Sequence, residues 1–396
     1  MFETLEMAPP DAILGLNEAF KKDPNPEKIN LSVGVYQNDE GKTLILNCVK
    51  QAERRLIDEE SSKSYLGIDG LPEFGEQLRQ LVFGPEHPIH AEERVVTLQT
   101  PGGTGALRVA ADFVRRKFPQ SSVWCSRPTW ANHPSVFDAA GLPVKQYDYI
   151  DDSGTGFDFD AMIKSLTQIP GGNVVCLHAC CHNPTGIDPT IEQWKQISQV
   201  VHDRKLLALV DYAYQGFGDG LVEDSRGLYE LCSLNREMLL CTSFSKNFGL
   251  YGERVGGLTI IAETSDAVQA ALSHAKKCVR VNYSNPPKHG AAIVSTILAD
   301  KKLRLQWESE VAEMRTRING VRQQFADTMK GKAPAHDFSF ITAQRGMFSF
   351  SGLSPLQVDE LRQKHAIYIV GSGRINIAGI TSANIDRLCN AIASVL

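Results

Sequence analysis

Short apolar runs alternate with segments of helical spacing through the middle of this chain, and that alternation limits the fold more than any other feature. The strand-like runs are Val95–Gln99, Val123–Ser126, Asn173–His178, Leu206–Asp211, Met238–Ser243 and Leu258–Ala262. Between them apolar residues return at helical intervals, as at Ile191, Trp194, Ile197 and Val201. Sustained strand–helix alternation predicts an α/β sheet with helices on both faces.

Near residue 300 the pattern changes. Leu303, Trp307, Val311, Met314, Ile318, Val321, Phe325 and Met329 recur every three or four positions, which predicts one long amphipathic helix. A coiled coil is the competing reading, but a single segment of this kind suits a bridge between two domains, with Trp307 anchoring it to the larger. Shorter elements follow, including Gly346–Ser351 and Ile367–Val370, which read as a smaller α+β unit. Pro9, Pro10, Pro24 and Pro26 give the first forty residues an extended start, after which they are expected to join that smaller unit. A length of 396 residues allows two domains of ordinary size.

Charge and cysteine usage narrow the setting. Forty-one basic against 46 acidic residues leave a net charge of −5 with no long run of one sign, a poor footprint for nucleic acid or an anionic membrane. The start MFETLEMAPPDAILGL is acidic and lacks the marks of a secretion or organelle signal. No apolar run reaches the length of a membrane span. The nine cysteines are odd in number and scattered, several in apolar runs such as Val174-Val175-Cys176-Leu177, as expected of reduced core thiols in a cytoplasm.

Four stretches could carry chemistry. Thr100-Pro101-Gly102-Gly103-Thr104-Gly105 precedes Ala106-Leu107-Arg108, so a glycine turn opens a helix where backbone N–H groups can meet an anion, although many such turns are plain helix starts. Two nucleotide motifs are excluded: Gly41-Lys42-Thr43 has Tyr36 where a P-loop needs glycine, and no G-x-G-x-x-G follows a strand. In Cys241-Thr242-Ser243-Phe244-Ser245-Lys246, with Arg254 downstream, a strand ends in alternating hydroxyls and a lysine. A lysine beyond an ordinary strand sits in solvent. One desolvated at a strand end becomes a nucleophile toward carbonyls, and hydroxyls with a guanidinium suit a phosphate. Leu206–Val210 runs into Asp211, then Tyr212-Ala213-Tyr214, and strand ends of a doubly wound sheet face one crevice. Asp211 and Lys246 there form either an ion pair or the two ends of a pyridine-ring site. Finally, His178-Ala179-Cys180-Cys181-His182-Asn183-Pro184 invites zinc, but its spacing lacks the paired ligands of a structural site. No metal is expected, and His178, His182, Cys180 and Cys181 read as packed residues.

Taken in order, Cys180-Cys181-His182-Asn183-Pro184-Thr185-Gly186, Asp211-x-Ala213-Tyr214-Gln215-Gly216 and Ser243-x-Ser245-Lys246-Asn247-Phe248-Gly249-Leu250-Tyr251 resemble the class I, fold-type I aminotransferases that depend on pyridoxal 5'-phosphate. The resemblance runs from Ile13-Leu14-Gly15-Leu16 to Gly373-Arg374-Ile375-Asn376 and lies nearest the branch of aspartate and aromatic-amino-acid aminotransferases. It implies a large cofactor-binding domain (45–315) with a mainly parallel seven-stranded sheet, a smaller α+β domain (15–44 and 316–396) and an N-terminal arm (1–14). It assigns Lys246 to the Schiff base and the 1,3-proton transfer, Asp211 to the ring nitrogen with His133 behind it, Tyr214 and Asn183 to the ring hydroxyl, and Trp130 to stacking on the ring. Gly103, Thr104, Ser243, Ser245, Arg254 and Tyr65 of the partner subunit would hold the phosphate. Arg374, with Gly34 and Asn183, would bind the substrate α-carboxylate, and Arg280 would cross a homodimer interface to its side-chain carboxylate. X-Pro bonds at Pro128 and Pro184 are expected to be cis.

The same resemblance implies amino acids and 2-oxo acids as substrates, with L-aspartate and 2-oxoglutarate giving oxaloacetate and L-glutamate by a ping-pong cycle. Thr43, Ser64, Thr104 and Asn285 favour the aspartate branch over the aromatic one. The alternative is an aromatic-amino-acid aminotransferase of the same family, acting on tyrosine and phenylalanine, or an enzyme of dual specificity.

Overall fold

The computed structural model describes residues 1–8 and 14–396; Pro9, Pro10 and Ile13, named above, lie outside them. The strands in chain order are β1 (Ile29–Asn30), β2 (Val95–Pro101), β3 (Val123–Arg127), β4 (Val144–Asp148), β5 (Val174–His178), β6 (Leu207–Tyr212), β7 (Met238–Ser243), β8 (Val255–Ile261), β9 (Phe348–Phe350), β10 (Ile367–Tyr368) and β11 (Arg374–Asn376). Seven of them build one sheet in the order β2-β8-β7-β6-β5-β3-β4. Only β8 runs antiparallel to its neighbours, so the expected α/β class with a mainly parallel seven-stranded sheet is borne out.

Period-two alternation feeds two cores. On β6 Ala208, Val210 and Tyr212 face one apolar cluster and Leu209 the other; on β7 Met238 and Leu240 oppose Leu239 and Cys241. The helix Gly102–Lys117 covers the second face with Ala106, Leu107, Val109, Ala110 and Val114. The helix Ile191–Asp203 packs Trp194, Ile197 and Val201 on the first.

The sequence reading lacks β4 and starts β8 three residues late. In β4 the side chains of Lys145 and Gln146 are exposed, as befits an edge strand, so no apolar run marks it. Gly256 and Gly257 hide the start of β8, and the fold requires them. A Cβ on Gly256 would lie 2.5 Å from the backbone of Gly102, so the helix after β2 could not approach.

The long helix spans Lys301–Lys332, about 48 Å at 1.5 Å per residue. All eight periodic positions named above are buried. Trp307 stacks on Phe248 with centroids 4.5 Å apart and donates to the Asn247 carbonyl at 2.8 Å. Further along, the helix packs against the 3-10 turn Ser339–Ala343 and the C-terminal helix Ile385–Val395. Beside that end, β1 pairs in parallel with β10, and β9 antiparallel with β11. Asn376 donates to the carbonyls of Val33 and Val35, tying the early chain to β11. No helix among the described residues is long and apolar enough to cross a membrane.

Candidate active site

Parallel register brings the chemistry to one rim. His178 pairs with Asp211, and Asp211 with Cys241, across β5, β6 and β7, so the residues that follow these strands share a crevice at their carboxyl ends. A cavity of about 480 Å³ opens there. Its walls include Gly34, Gly103, Thr104, Trp130, Asn183, Asp211, Tyr214, Ser243, Ser245, Lys246, Arg254 and Arg374, residues that span 341 positions of the sequence.

Lys246 sits in a turn closed by the Gly249 N–H on its carbonyl. Phe244 and Phe248 sink into the core on either side, and Asn247 donates to the Gln215 carbonyl. The amine is thus fixed against the cavity, 5.2 Å from the centre of the Tyr214 ring. Burial lowers its pKa to about 8, against the pull of Asp211 and with the help of Arg254 and Arg374.

Asp211 accepts from His133 Nε2 at 3.1 Å, and His133 Nδ1 meets the Thr129 hydroxyl at 2.8 Å. His133 is fully buried behind the cavity wall, packed on Phe137 and Trp130. Burial alone would raise the Asp211 pKa. The His133 hydrogen bond and the charges of His133, His178 and Lys246 outweigh it, so the carboxyl stays below its ordinary value. The Tyr214 hydroxyl accepts from Asn183 Nδ2 at 3.5 Å, while Asn183 Oδ1 is buried without a partner among the described residues.

The helix Gly102–Lys117 points its N-terminus at the same cavity. Gly102 holds φ at +75°, and a Cβ there would lie 2.5 Å from Arg254 Nη2; one on Gly103 would touch Ser243 Cβ at 3.0 Å. Ser243 donates to Ser245 at 3.1 Å, and Arg254 reaches the same Ser245 hydroxyl at 3.2 Å. Free backbone N–H groups, two hydroxyls and a guanidinium therefore line one end, the arrangement an anion needs.

At the other end Arg374 is buried on β11. Its Nη2 donates to the Ser32 carbonyl at 2.5 Å, its guanidinium lies 4.2 Å from the Phe348 ring centre, and its Nε has no partner among the described residues. Burial lowers its pKa to about 10. Gly34 forms the opposing wall, where a Cβ would lie 2.7 Å from Phe348 Cζ.

Of the residues assigned to the site, Tyr65 and Arg280 stay outside this cavity, as do Thr43, Ser64 and Asn285, while His133 stands behind its wall. Tyr65 is 92 % exposed, and Arg280 lies on the surface, bonded to the Ser284 hydroxyl. Conversely, Phe348, Tyr251, Asn132, Leu107 and Val33 line the cavity without having been singled out for it. Tyr251 stood within the lysine motif, and its hydroxyl accepts from the Tyr36 N–H at 2.9 Å. The others carry no local signal. His182 is packed, bonded to Ser126 and Thr185 and stacked on Tyr149. His178, Cys180 and Cys181 are buried too. Both X-Pro bonds, at Pro128 and Pro184, are cis.

With this geometry in view, the chain belongs to the aminotransferases of class I and II, whose family model matches residues 26–392. It is 50 % identical to the aspartate aminotransferase of Escherichia coli K12 over 396 residues, the whole of both chains. It is 43 % identical to the aromatic-amino-acid aminotransferase of the same organism, again over the whole of both. A crystal structure of the aromatic-amino-acid aminotransferase of Burkholderia pseudomallei, covalently bound to pyridoxal phosphate, superposes with a TM-score of 0.97 at 46 % identity, covering 100 % of this chain and 99 % of that one.

Proposed function

We propose that this chain is a pyridoxal-phosphate-dependent aspartate aminotransferase, passing the amino group of L-aspartate to 2-oxoglutarate in two half-reactions. One observation carries the reading: a lysine amine of depressed pKa stands between an ionised, histidine-backed aspartate and a buried arginine that lacks a carboxylate. The donor set fits the cofactor. Gly102 and Gly103 leave a cradle that a Cβ would fill, Asn183 Oδ1 waits beside Tyr214 without a partner among the described residues, and three cations share the cavity with a single carboxylate.

Gly103, Thr104, Ser243, Ser245 and Arg254 would hold the phosphate, Asp211 the ring nitrogen, Tyr214 and Asn183 the ring hydroxyl, and Trp130 the ring face. When bound, pyridoxal phosphate supplies an aldehyde that captures amines and a ring that draws off the electrons left on the substrate α-carbon. His133 keeps Asp211 oriented and charged, which favours a protonated ring nitrogen. Arg374 fixes the α-carboxylate through its planar fork, with Gly34 and Asn183 beside it in the cavity. With the substrate so fixed, Lys246 Nζ takes the α-proton and later returns it, a role suited to a pKa of about 8.

Tyr65 and Arg280 enter this scheme through a second copy of the chain. Their exposure supports a homodimer with shared sites, in which each lends its phenol and guanidinium to the partner's phosphate and side-chain carboxylate. The reading carries with it a large domain of residues 45–315, a smaller one of 15–44 and 316–396, and an arm of 1–14. The setting is cytoplasmic. The aromatic relatives supply a second reading, dual specificity. A substrate panel separates them: kcat/KM for aspartate should exceed that for phenylalanine by about tenfold or more. A reversed ratio overturns the assignment to aspartate, and a purified protein without the yellow colour of bound cofactor overturns the chemistry.

A further inference from the structure

Gln99 lies two residues before the end of β2, ahead of the glycine turn, and is 2 % exposed. It faces two loops from distant parts of the chain. Its Oε1 accepts the Leu71 N–H at 3.1 Å, and its Nε2 donates to the Pro287 carbonyl at 2.6 Å. Its own N–H bonds the Asp69 carbonyl at 2.9 Å, and its carbonyl accepts from the Tyr283 hydroxyl at 3.5 Å. The fit is close: Gly70 adopts φ +90°, and a Cβ there would lie 2.3 Å from Gln99 Cβ. A single amide thus bridges both loops, and each loop lies a few residues from a side chain that projects from the surface. Tyr65 precedes the first, and Arg280 precedes the second. Lys288 adds a second tie between the same segments, through Ser62 and Glu60.

We propose that Gln99 is a positioning residue for the partner's site: it sets the spacing of Tyr65 and Arg280, the two side chains this chain lends across the dimer. The proposal rests on the shared-site reading above. Displacing an anchoring group by about an ångström weakens a two-point clamp by roughly tenfold or more. The effect falls on the neighbouring subunit, because the anchored residues are exported there.

Hybrid dimers with one competent site test it. In the first, one chain carries Lys246→Ala with Gln99→Met and the other Arg280→Ala, so the competent site takes its lysine from a chain with native Gln99 and its lent residues from the Gln99→Met chain. KM for aspartate should rise about tenfold and succinate affinity, measured by calorimetry, should fall as much, with kcat within about threefold. In the second, Gln99→Met shares a chain with Arg280→Ala and the partner carries Lys246→Ala alone; this hybrid should match the control built without Gln99→Met. Equal defects in both, a defect only in the second, or none in either overturns the proposal. A control hybrid that is itself inactive overturns the shared-site reading instead. Should Gln99→Met fail to dimerise, Gln99→Glu, which keeps the acceptor for Leu71 and loses the donor to Pro287, is read in the same two arrangements.

Discussion

Replacing Lys246 by methionine should stabilise the cofactor-free protein at neutral pH. Folding lowers the pKa of this amine from an ordinary 10.5 to about 8, chiefly because burial disfavours its charge. At pH 7 the unfolded chain solvates the ammonium freely, while the folded chain must bear it in the cavity beside Arg254 and Arg374 or release the proton. The cost is about 3 kcal/mol at pH 7, from about 1.4 kcal/mol for each pKa unit. Between pH 8 and 10.5 the unfolded state binds the extra proton, so raising the pH stabilises the native lysine protein. The penalty falls to about 2 kcal/mol at pH 9 and under about 0.5 kcal/mol at pH 10.5. Methionine fills a similar volume and carries no charge, so its variant escapes the penalty at every pH. Denaturant titrations of both apo proteins at pH 7, 9 and 10.5 measure the difference, and titrations common to both chains cancel. A methionine variant less stable at pH 7, or a difference that stays constant with pH, would show that the amine is not desolvated and refute the reasoning.

Two further substitutions probe the scaffold of the site. Trp307→Phe leaves the Asn247 carbonyl buried without its donor and opens a small void, costing about 2–4 kcal/mol; an unchanged denaturant midpoint would mean that the long helix is not anchored there. Gly102→Ala forces a Cβ onto the Arg254 guanidinium at a backbone angle alanine avoids; pyridoxal phosphate should bind about tenfold or more weakly by spectroscopic titration, and native affinity would show that this end does not hold the phosphate.

Much of the frame was legible because its cause is local. The interiors of β5, β6 and β7 are buried on both faces, so they read as continuous apolar runs, and their last residues place Asp211 and Lys246 without any knowledge of the rest. The long helix announced itself because one stripe stays covered from Leu303 to Met329. β4 stayed hidden as an edge strand with solvated side chains, and β1 and β11 are too short to show a period. Contacts that finish the cavity join residues far apart in sequence: Arg374 meets Ser32 across 342 positions, and Gly34 must be glycine only because Phe348 lies against it. Tyr65 and Arg280 gave the opposite case. Resemblance assigned them to a site, whereas the chain by itself leaves them on its surface.

The charges in the cavity explain why so polar a site can exist in a stable fold. Lys246, Arg254 and Arg374 face a single carboxylate, Asp211, and among the described residues none of the three cations makes an ion pair. Arg374 is the most exacting of them, buried with one nitrogen unpartnered and a depressed pKa of about 10. A protein gains nothing in stability from such an imbalance. It is offset by Phe348 beneath the Arg374 guanidinium, by the Ser32 carbonyl, and by the Ser245 hydroxyl and Tyr251 carbonyl that take up Arg254. What would balance it is a ligand with negative charge at both ends: a phosphate over the helix N-terminus and a carboxylate against Arg374. Asp211 supplies the one negative charge that the protein itself brings to this cavity, and on the proposed reading it stands against the ring nitrogen of the cofactor. On that reading the surplus of positive charge selects a ligand anionic at both ends, and the lone aspartate, by holding the ring nitrogen cationic, sets the direction in which electrons flow once it is bound.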